Sequence, residues 1–171
     1  MLTDLVQIRM LGEKKRGENE RFRRHMKSHG HSDRILRRIA ENVEEQIDCR
    51  QCANCCKVAS IQISDRDAER LARHLRISPA QFLAEYTAAG EEGEGVHRTL
   101  RRSDETGCVF LAGKDCTVYD ERPDTCRRFP HLVRGTGSIA SRMWQFVDRA
   151  CYCPIVYNAL EAFKTELRFK R

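Results

Sequence analysis

Residues 49–56 read CRQCANCC, so four thiols fall within eight residues at the spacing C-x2-C-x2-C-C. Thiols three residues apart on a tight turn can converge on one metal ion, and a zinc knuckle combines one such pair with a second pair from elsewhere in the chain. Four cysteines this close together, with polar Arg50, Gln51 and Asn54 between them, do not resemble cysteines that fill an apolar core. The stretch therefore predicts a metal centre that organises the fold.

Five more cysteines follow, which brings the total to nine. The predicted metal ligands are Cys49, Cys52, Cys55, Cys56, Cys108, Cys116, Cys126, Cys151 and Cys153. Thiols at consecutive x2 spacing are typical of cubane clusters, so the predicted cofactor is an iron–sulfur cluster, for example of the 4Fe-4S type, or zinc. Because one tetrahedral centre takes four ligands, nine thiols supply two centres with one to spare, or one centre plus structural cysteines.

The adjacent residues Cys55 and Cys56 raise a question of direction. Neighbouring side chains point to opposite faces of a strand and diverge around a helix. We therefore expect that one of the two thiols is a bystander or that the two thiols face different metals.

The composition and the lack of targeting signals predict a reducing compartment. The chain is 33% charged, and its first ten residues contain no apolar run long enough for a signal peptide. No stretch approaches the ~18 apolar residues of a membrane span. We therefore expect a cytoplasmic protein, in which clustered thiols are metal ligands or redox groups rather than structural disulfides.

The net charge of +6 is concentrated in residues 9–38, where basic residues outnumber acidic ones. Such a segment could contact nucleic acid, an acidic protein or an anionic membrane, but its interleaved glutamates favour a solvated helical face. An aromatic content of 7% and the lack of a reader motif argue against nucleic acid without excluding it, and an unknown protein partner stays open. The same segment contains His25, His29 and His31, whose H-x3-H-x-H spacing could chelate a metal apart from the cysteines.

Start signals and apolar spacing predict four helices and several short strands. Ser32, Ser64 and Ser78 are candidate N-caps, and Pro154 opens a last helix. An acidic loop is expected at 89–95. The expected strands are 59–63, 97–101, 109–111 and 117–119.

These elements predict an α+β fold, a mainly helical small domain with short β-strands around a cysteine-lined metal site. Residues 1–48 are expected to form a basic N-terminal helical arm, loosely attached over its first thirty residues. Residues 49–153 form the predicted cysteine-cluster metal-binding domain. Residues 154–171 form a C-terminal helix that packs on this domain.

The cysteine run at 49–56, the motif Cys108-x-Phe110-Leu111 and the segment CTVYDERPDTCRRFP at 116–130 together resemble the YkgJ-type cysteine-cluster family. The resemblance covers roughly residues 49–153 and implies a zinc- or iron-chelating domain, a site more than an activity. A relative with a similar cysteine pattern, the flagellin lysine methylase, is an enzyme that binds an iron–sulfur cluster. This chain is much shorter and has no glycine-rich nucleotide loop, so methylation is not carried over.

Arg127 is the predicted cofactor contact outside the cysteines. A guanidinium beside thiolates can donate hydrogen bonds to sulfur and offset the charge of a cluster. The alternative is a salt bridge from Arg127 to an acidic residue within 120–124. Arg122 and Pro123 are expected to start a turn or short helix that carries Cys126 inward.

The sequence thus favours an iron–sulfur protein that transfers electrons, senses redox state or handles metal. The alternatives are a structural zinc-binding adaptor and an accessory to protein modification of the methylation type. No spacing of Ser, His and Asp, or of Cys and His, supports a nucleophilic mechanism. The question of an enzyme therefore stays open, and the residues lean against it.

Overall fold

The computed structural model describes residues 1–89 and 98–170, and in these residues the chain forms ten α-helices and seven short strands. The helices are α1 (Leu5–Lys14), α2 (Arg16–Ser28), α3 (Asp33–Glu45), α4 (Cys49–Cys52), α5 (Asn54–Val58), α6 (Asp65–Leu75), α7 (Pro79–Tyr86), α8 (Asp124–Arg128), α9 (Ile139–Arg149) and α10 (Pro154–Glu166). The strands are β1 (Gln62–Ile63), β2 (Thr87–Ala89), β3 (Arg98–Leu100), β4 (Arg102–Ser103), β5 (Gly107–Cys108), β6 (Leu111–Ala112) and β7 (Asp115–Cys116). The predicted class, a mainly helical α+β fold with short strands, is confirmed.

The chain divides into two compact units. Residues 1–49 and 128–171 form unit 1, and residues 50–127 form unit 2. This division differs from the predicted segments 1–48, 49–153 and 154–171. The physical reason is that α9, which lies within 128–153, packs against α2, α3 and α10.

Unit 1 contains five long helices, of which α2, α3, α9 and α10 supply the main apolar core and α1 packs against α2 and α10. Phe22, Phe146 and Phe163 are fully buried in this core, and α1 contributes the fully buried Ile8. The first two helices are therefore packed, whereas the sequence predicted a loosely attached arm. Their apolar residues are sparse but are placed on the sides that face the core.

Helix α9 is missing from the helices predicted from the sequence, although its signal is present. The hydroxyl of Ser138 accepts a hydrogen bond from the amide of Ser141 and so caps the helix start. Ile139, Met143 and Phe146 follow at helical spacing and are buried. The cap and the apolar spacing together identify the helix.

Within the described part of unit 1, four of the eleven lysine and arginine residues of 9–38 form ion pairs. The acidic partners lie on α1, α2, α3, α9 and α10, which agrees with the predicted solvated helical face. The pairs are Lys15 with Glu161, Arg16 with Glu13 and Asp148, Arg23 with Glu20, and Arg37 with Asp33. None of the helices in the described part of the chain combines the length and the apolar character needed to cross a membrane.

Unit 2 contains α5, α6, α7 and most of α8, together with three small antiparallel sheets. β3 lies between β1 and β2, β4 pairs with β5, and β6 pairs with β7. The core of this unit has eight buried apolar residues, against seventeen in the main core of unit 1. Unit 2 therefore has little apolar burial to offset the entropy of ordering its turns.

The predicted starts of α6 and α7 are confirmed. The hydroxyl of Ser64 accepts a hydrogen bond from the amide of Asp67, and the Asp67 carboxylate accepts one from the amide of Ser64, which is a capping box. Ser78 caps α7 through the amide of Gln81. Pro154 is the first residue of α10 as predicted. Ser32 stands at the N-cap position of α3, but its side chain makes no capping hydrogen bond.

The predicted strands are found near their expected places but are shorter and shifted. Strand β3 lies within 97–101, and β1 ends the stretch 59–63. The strands expected at 109–111 and 117–119 fall instead on β5, β6 and β7, because a tight turn at Gly113 sets the register of the β6–β7 hairpin. The acidic loop expected at 89–95 lies outside the described residues except for Ala89.

Candidate metal centre

Two hairpins of unit 2 position Cys108 and Cys116. Cys108 pairs with Arg102 across β4 and β5, and Cys116 pairs with Leu111 across β6 and β7. Burial raises the pKa of both thiols, while the amide two residues further on, that of Phe110 or Val118, donates a hydrogen bond to the sulfur and opposes this rise. Hydrogen bonds from backbone amides to sulfur stabilise thiolates at metal centres.

Helix α5 places Cys56 next to β5. A Cβ atom on Gly107 would lie 2.8 Å from the carbonyl oxygen of Cys56 and 2.8 Å from Cα of Lys57. Gly107 also has a φ of +79°, so its backbone conformation and its surroundings both require glycine. Nη2 of Arg102 donates a hydrogen bond of 2.9 Å to the carbonyl oxygen of Lys57, so β4 also contacts α5.

The thiols of Cys55 and Cys56 interact although the two residues are adjacent. A hydrogen bond with the thiol of Cys55 lowers the pKa of Cys56 to about 7, although burial opposes this shift. The two residues lie in the first turn of α5, where successive side chains are about 100° apart. That one of the two thiols is a bystander, or that the two face different metals, stays a prediction.

Helix α8 carries Cys126 and is anchored to α6 by a buried carboxylate. Asp67 is 2% exposed, and its Oδ1 accepts a hydrogen bond of 3.0 Å from the amide of Asp124 at the start of α8. Arg70 binds Asp67 at 2.6 Å and donates a hydrogen bond of 3.1 Å to the carbonyl oxygen of Arg122. These bonds fix the segment that precedes Cys126.

Four thiols of unit 2 influence one another's ionisation. Burial, followed by the charges of Cys56, Cys108 and Cys116, raises the pKa of Cys126 to about 12. The charge of Cys56 also raises the pKa of Cys108 and of Cys116. Such effects require nearby charges. The fold therefore brings together thiols from helix α5, from two hairpins and from helix α8.

The donor set of this thiol cluster fits zinc or iron, since thiolates are the soft ligands that both zinc and iron–sulfur centres use. In the positions seen, however, no group of three or more His, Cys, Asp or Glu side chains among residues 1–89 and 98–170 is arranged to hold a metal ion. Ligation therefore requires the thiol side chains to rotate towards a common point and to release their protons.

Arg122 is a basic residue of this cluster whose electrostatic role the sequence did not reveal. Its charge lowers the pKa of Cys116 and of Cys126, against the effect of burial. Its guanidinium carbon lies 3.9 Å from the ring centroid of Tyr119, which holds the side chain in place. The sequence feature that could have identified Arg122 is its position between Cys116 and Cys126 in the segment 116–130.

Arg127, the predicted cofactor contact, has several partners of its own. Its Nε donates a hydrogen bond of 3.0 Å to the carbonyl oxygen of Arg122, and its Nη2 donates one to the carbonyl oxygen of Asp120. Nη2 also lies 3.7 Å from the carboxylate of Glu121. This is the type of pairing that the sequence allowed as the alternative to cofactor contact.

The remaining predicted ligands lie at the border of unit 2 or in unit 1. Helix α4 begins at Cys49 and ends at Cys52, and the division between the two units falls within it. Cys151 and Cys153 are buried in unit 1. Nη2 of Arg16 lies 3.4 Å from Sγ of Cys151, and Cys153 precedes the first residue of α10.

A family model described as "CxxCxxCC: Putative zinc- or iron-chelating domain" matches residues 48–154. The chain belongs to this CxxCxxCC family. The match contains all nine cysteines, so the family resemblance predicted from the sequence is confirmed. No curated protein and no solved structure matches the chain.

In this CxxCxxCC domain, replacing Asp67 should weaken the attachment of α8, the helix that carries Cys126, to α6. Burial alone would raise the pKa of Asp67, but hydrogen bonds from Ser64, Asp124 and Arg70 outweigh it and lower the pKa. We expect Asp67→Asn to reduce the free energy of unfolding by about 2 kcal/mol in urea titrations followed by circular dichroism. Because the folded-state pKa is lowered, this contribution is complete above the unfolded value of about 3.9 and is lost as the pH falls through the folded value.

The control for Asp67→Asn is Asp65→Asn, which changes an exposed carboxylate in the same first turn of α6. We expect this second variant to lose about 0.5 kcal/mol, the value of one charge near a helix start. Equal losses in the two variants would contradict the anchoring role of Asp67.

The close contact of α5 and β5 can be tested by a pair of glycine substitutions. Gly107 and Gly113 both have positive φ, but a Cβ on Gly113 meets no atom within 4 Å. We expect Gly113→Ala to cost about 1 kcal/mol of unfolding free energy for its backbone conformation alone. Gly107→Ala should cost at least about 1 kcal/mol more, because the backbone around Cys56 must move away.

The measurement for both alanine variants is the midpoint of chemical denaturation at constant m value. A Gly107→Ala variant as stable as Gly113→Ala would show that α5 and β5 do not approach each other as described.

Proposed function

We propose that this chain is an iron–sulfur protein with a redox, electron-transfer or metal-handling role. The proposed ligands are drawn from the thiols of unit 2, which are Cys52, Cys55, Cys56, Cys108, Cys116 and Cys126. One observation carries the proposal: Cys108, Cys116 and Cys126 all pack against the one apolar core of unit 2, and the backbone of Cys56 lies directly against Gly107, next to Cys108.

An iron–sulfur cluster is preferred to a single zinc ion because Cys49, Cys52 and Cys55 follow one another at the C-x2-C-x2-C spacing that supplies three ligands to a cubane cluster. When bound, such a cluster would supply one-electron redox chemistry. The chain's own residues would tune it. The amides of Phe110 and Val118 donate hydrogen bonds to two of the sulfurs, and Arg122 offsets negative charge near two of them.

The thiols of unit 2 are only half-buried, which would give an electron or metal partner access to the centre. Cys49, Cys151 and Cys153 stay predicted ligands of this or a second centre, and Arg127 stays a predicted cofactor contact. Metal analysis of single serine variants at these cysteines would assign them.

A structural zinc site is the second candidate, and the small core of unit 2 favours it. Because the core of this unit has only eight buried apolar residues, metal binding would supply part of its folding free energy. On this alternative the metal would hold the fold, and no redox chemistry would follow.

The experiment that separates the two candidates is purification of the full chain with and without oxygen, followed by analysis of iron, acid-labile sulfide and zinc. We expect the anaerobic protein to be coloured, to contain iron and sulfide in equal amounts, and to give an electron paramagnetic resonance signal in one of its redox states. A colourless protein with stoichiometric zinc and no iron under both conditions would overturn the iron–sulfur proposal and support the zinc alternative.

A further inference from the structure

Three histidines of unit 1 cluster where α2 ends and α3 begins. His25 lies in the last turn of α2, His29 directly follows this helix, and His31 precedes the capping residue of α3. The ring centroids of His25 and His29 are 4.2 Å apart, those of His25 and His31 are 5.2 Å apart, and those of His29 and His31 are 6.1 Å apart. The helix end and the following turn thus bring three imidazoles together.

These centroid distances are close to those of imidazoles that share one metal ion. Zinc lies about 2.0–2.1 Å from a ligating imidazole nitrogen, which places the ring centroid about 3.2 Å from the metal. Two such rings at a tetrahedral angle have centroids about 5.2 Å apart. Of the three observed distances, 4.2, 5.2 and 6.1 Å, the second equals this value and the other two lie within about 1 Å of it.

The hydrogen bonds of His29 leave its Nε2 suited to bind metal. Nδ1 of His29 lies 3.0 Å from the carbonyl oxygen of His25. Oγ of Ser28 also lies 3.0 Å from this Nδ1. Because a carbonyl oxygen only accepts, the contact with His25 is a hydrogen bond in the tautomer that carries its proton on Nδ1, and in this tautomer Nε2 keeps its lone pair. Metal-binding histidines are commonly oriented in this way, by a bond from the second ring nitrogen to a backbone carbonyl.

His31 and His25 also have features that a metal ion would explain. Nε2 of His31 is buried and has no hydrogen-bond partner, which costs about 1–3 kcal/mol when nothing compensates it. The ring of His25 packs beside two aromatic rings that contact each other, with the centroid of Phe169 at 5.3 Å and that of Phe22 at 6.4 Å. A ring fixed in this way loses little further freedom on binding a ligand.

In the positions seen, the three rings stack partly on one another, and their nitrogens do not yet point to a common centre. His29 is exposed, and exposed side chains change rotamer within nanoseconds. A tilt of the His29 ring that keeps the contact of Nδ1 with the carbonyl oxygen of His25 would take the ring out of the stack and open the space between the three imidazoles. Because His29 is exposed, water can reach a metal ion bound there and occupy a coordination position.

We propose that His25, His29 and His31 form a surface site for a divalent late transition metal ion such as zinc, nickel or cobalt, with water completing the coordination. The site lies in unit 1 and uses nitrogen ligands only. It therefore does not depend on which metal the cysteines bind, and it would give the chain a second, more weakly held metal.

The test is a titration of the full chain, made without a histidine tag and under anaerobic conditions, with cobalt(II). Cobalt bound by thiolates gives intense charge-transfer absorption, whereas cobalt bound by imidazole and water gives only weak visible bands. We expect an equivalent of cobalt that adds no charge-transfer absorption and that broadens the ring proton signals of His25, His29 and His31 in nuclear magnetic resonance spectra.

Single variants then identify the ligands. His29→Asn changes an exposed side chain and should keep the fold, while His31→Asn removes the unpartnered nitrogen; each should weaken this cobalt binding at least tenfold. His74→Asn on α6 is the matched control for an exposed histidine, and it should bind as the wild type does. The proposal fails if no such equivalent binds, if its absorption is that of thiolate ligation, or if His29→Asn and His31→Asn bind cobalt like the control.

Discussion

Cys126→Ser should remove at least one equivalent of metal from the protein as purified without oxygen, measured as metal per chain by mass spectrometry. The reason is that Cys126 packs against the same apolar core as Cys108 and Cys116, and that Cys56, Cys108 and Cys116 all raise its pKa. A hydroxyl in place of this thiol is a much weaker ligand for zinc or iron. We expect the affinity of the centre to fall at least about a hundredfold, beyond the loss seen when only supporting groups are changed.

The matched control is Cys151→Ser, which replaces a buried cysteine of unit 1. Its sulfur lies beside Arg16 and donates a weak hydrogen bond of 3.7 Å to the carbonyl oxygen of Val147. We expect this variant to keep the metal held by unit 2. Full metal content in Cys126→Ser would contradict the assignment, and equal losses in both variants would mean that the centre extends to Cys151.

Removing the metal with a chelator should loosen unit 2 far more than unit 1. Two-stranded hairpins are marginal on their own, and β5, β6 and β7 each have two residues. Metal bound to thiols from α5, both hairpins and α8 would tie these pieces together. We expect the loss to be about 4 kcal/mol, less than for zinc fingers that have almost no core.

Hydrogen exchange of the full chain measures this loss in each unit. A loss of about 4 kcal/mol corresponds to amide exchange about a thousandfold faster, here at Phe110, Val118 and the amides of α5. Amides of α9 and α10 serve as internal controls, since they lie in the larger core of unit 1 and should change by less than about threefold. Unchanged exchange in unit 2 after complete removal of metal would show that the metal does not support the fold.

Local signals of the sequence predicted local structure well. The starts of α6 and α7 could be predicted because a serine cap, its partner three residues on and a proline act within one turn of backbone. The cysteine run and the motif at 116–130 were enough to identify the family, because the spacing of ligands is written directly in the sequence. These features do not depend on distant contacts.

Other features depend on packing that no local pattern contains. Residues 128–153 belong to unit 1 because α9 contacts α2 and α10. The electrostatic effect of Arg122 on Cys116 and Cys126 follows from the direction of its side chain, which the contact with Tyr119 holds in place. The contact of Cys55 with Cys56 depends on a short helix that follows a left-handed turn at Ala53, with a φ of 48°.

The central claim, that separated thiols of unit 2 bind one centre, is tested most directly by X-ray absorption at the metal edge of the full chain loaded with one equivalent of metal. We expect a first shell of about four sulfur atoms, at about 2.3 Å if the metal is zinc. If the metal is in an iron–sulfur cluster, an iron neighbour beyond the sulfur shell should also be present. A first shell dominated by nitrogen or oxygen, or one with fewer than three sulfur atoms, would contradict the claim.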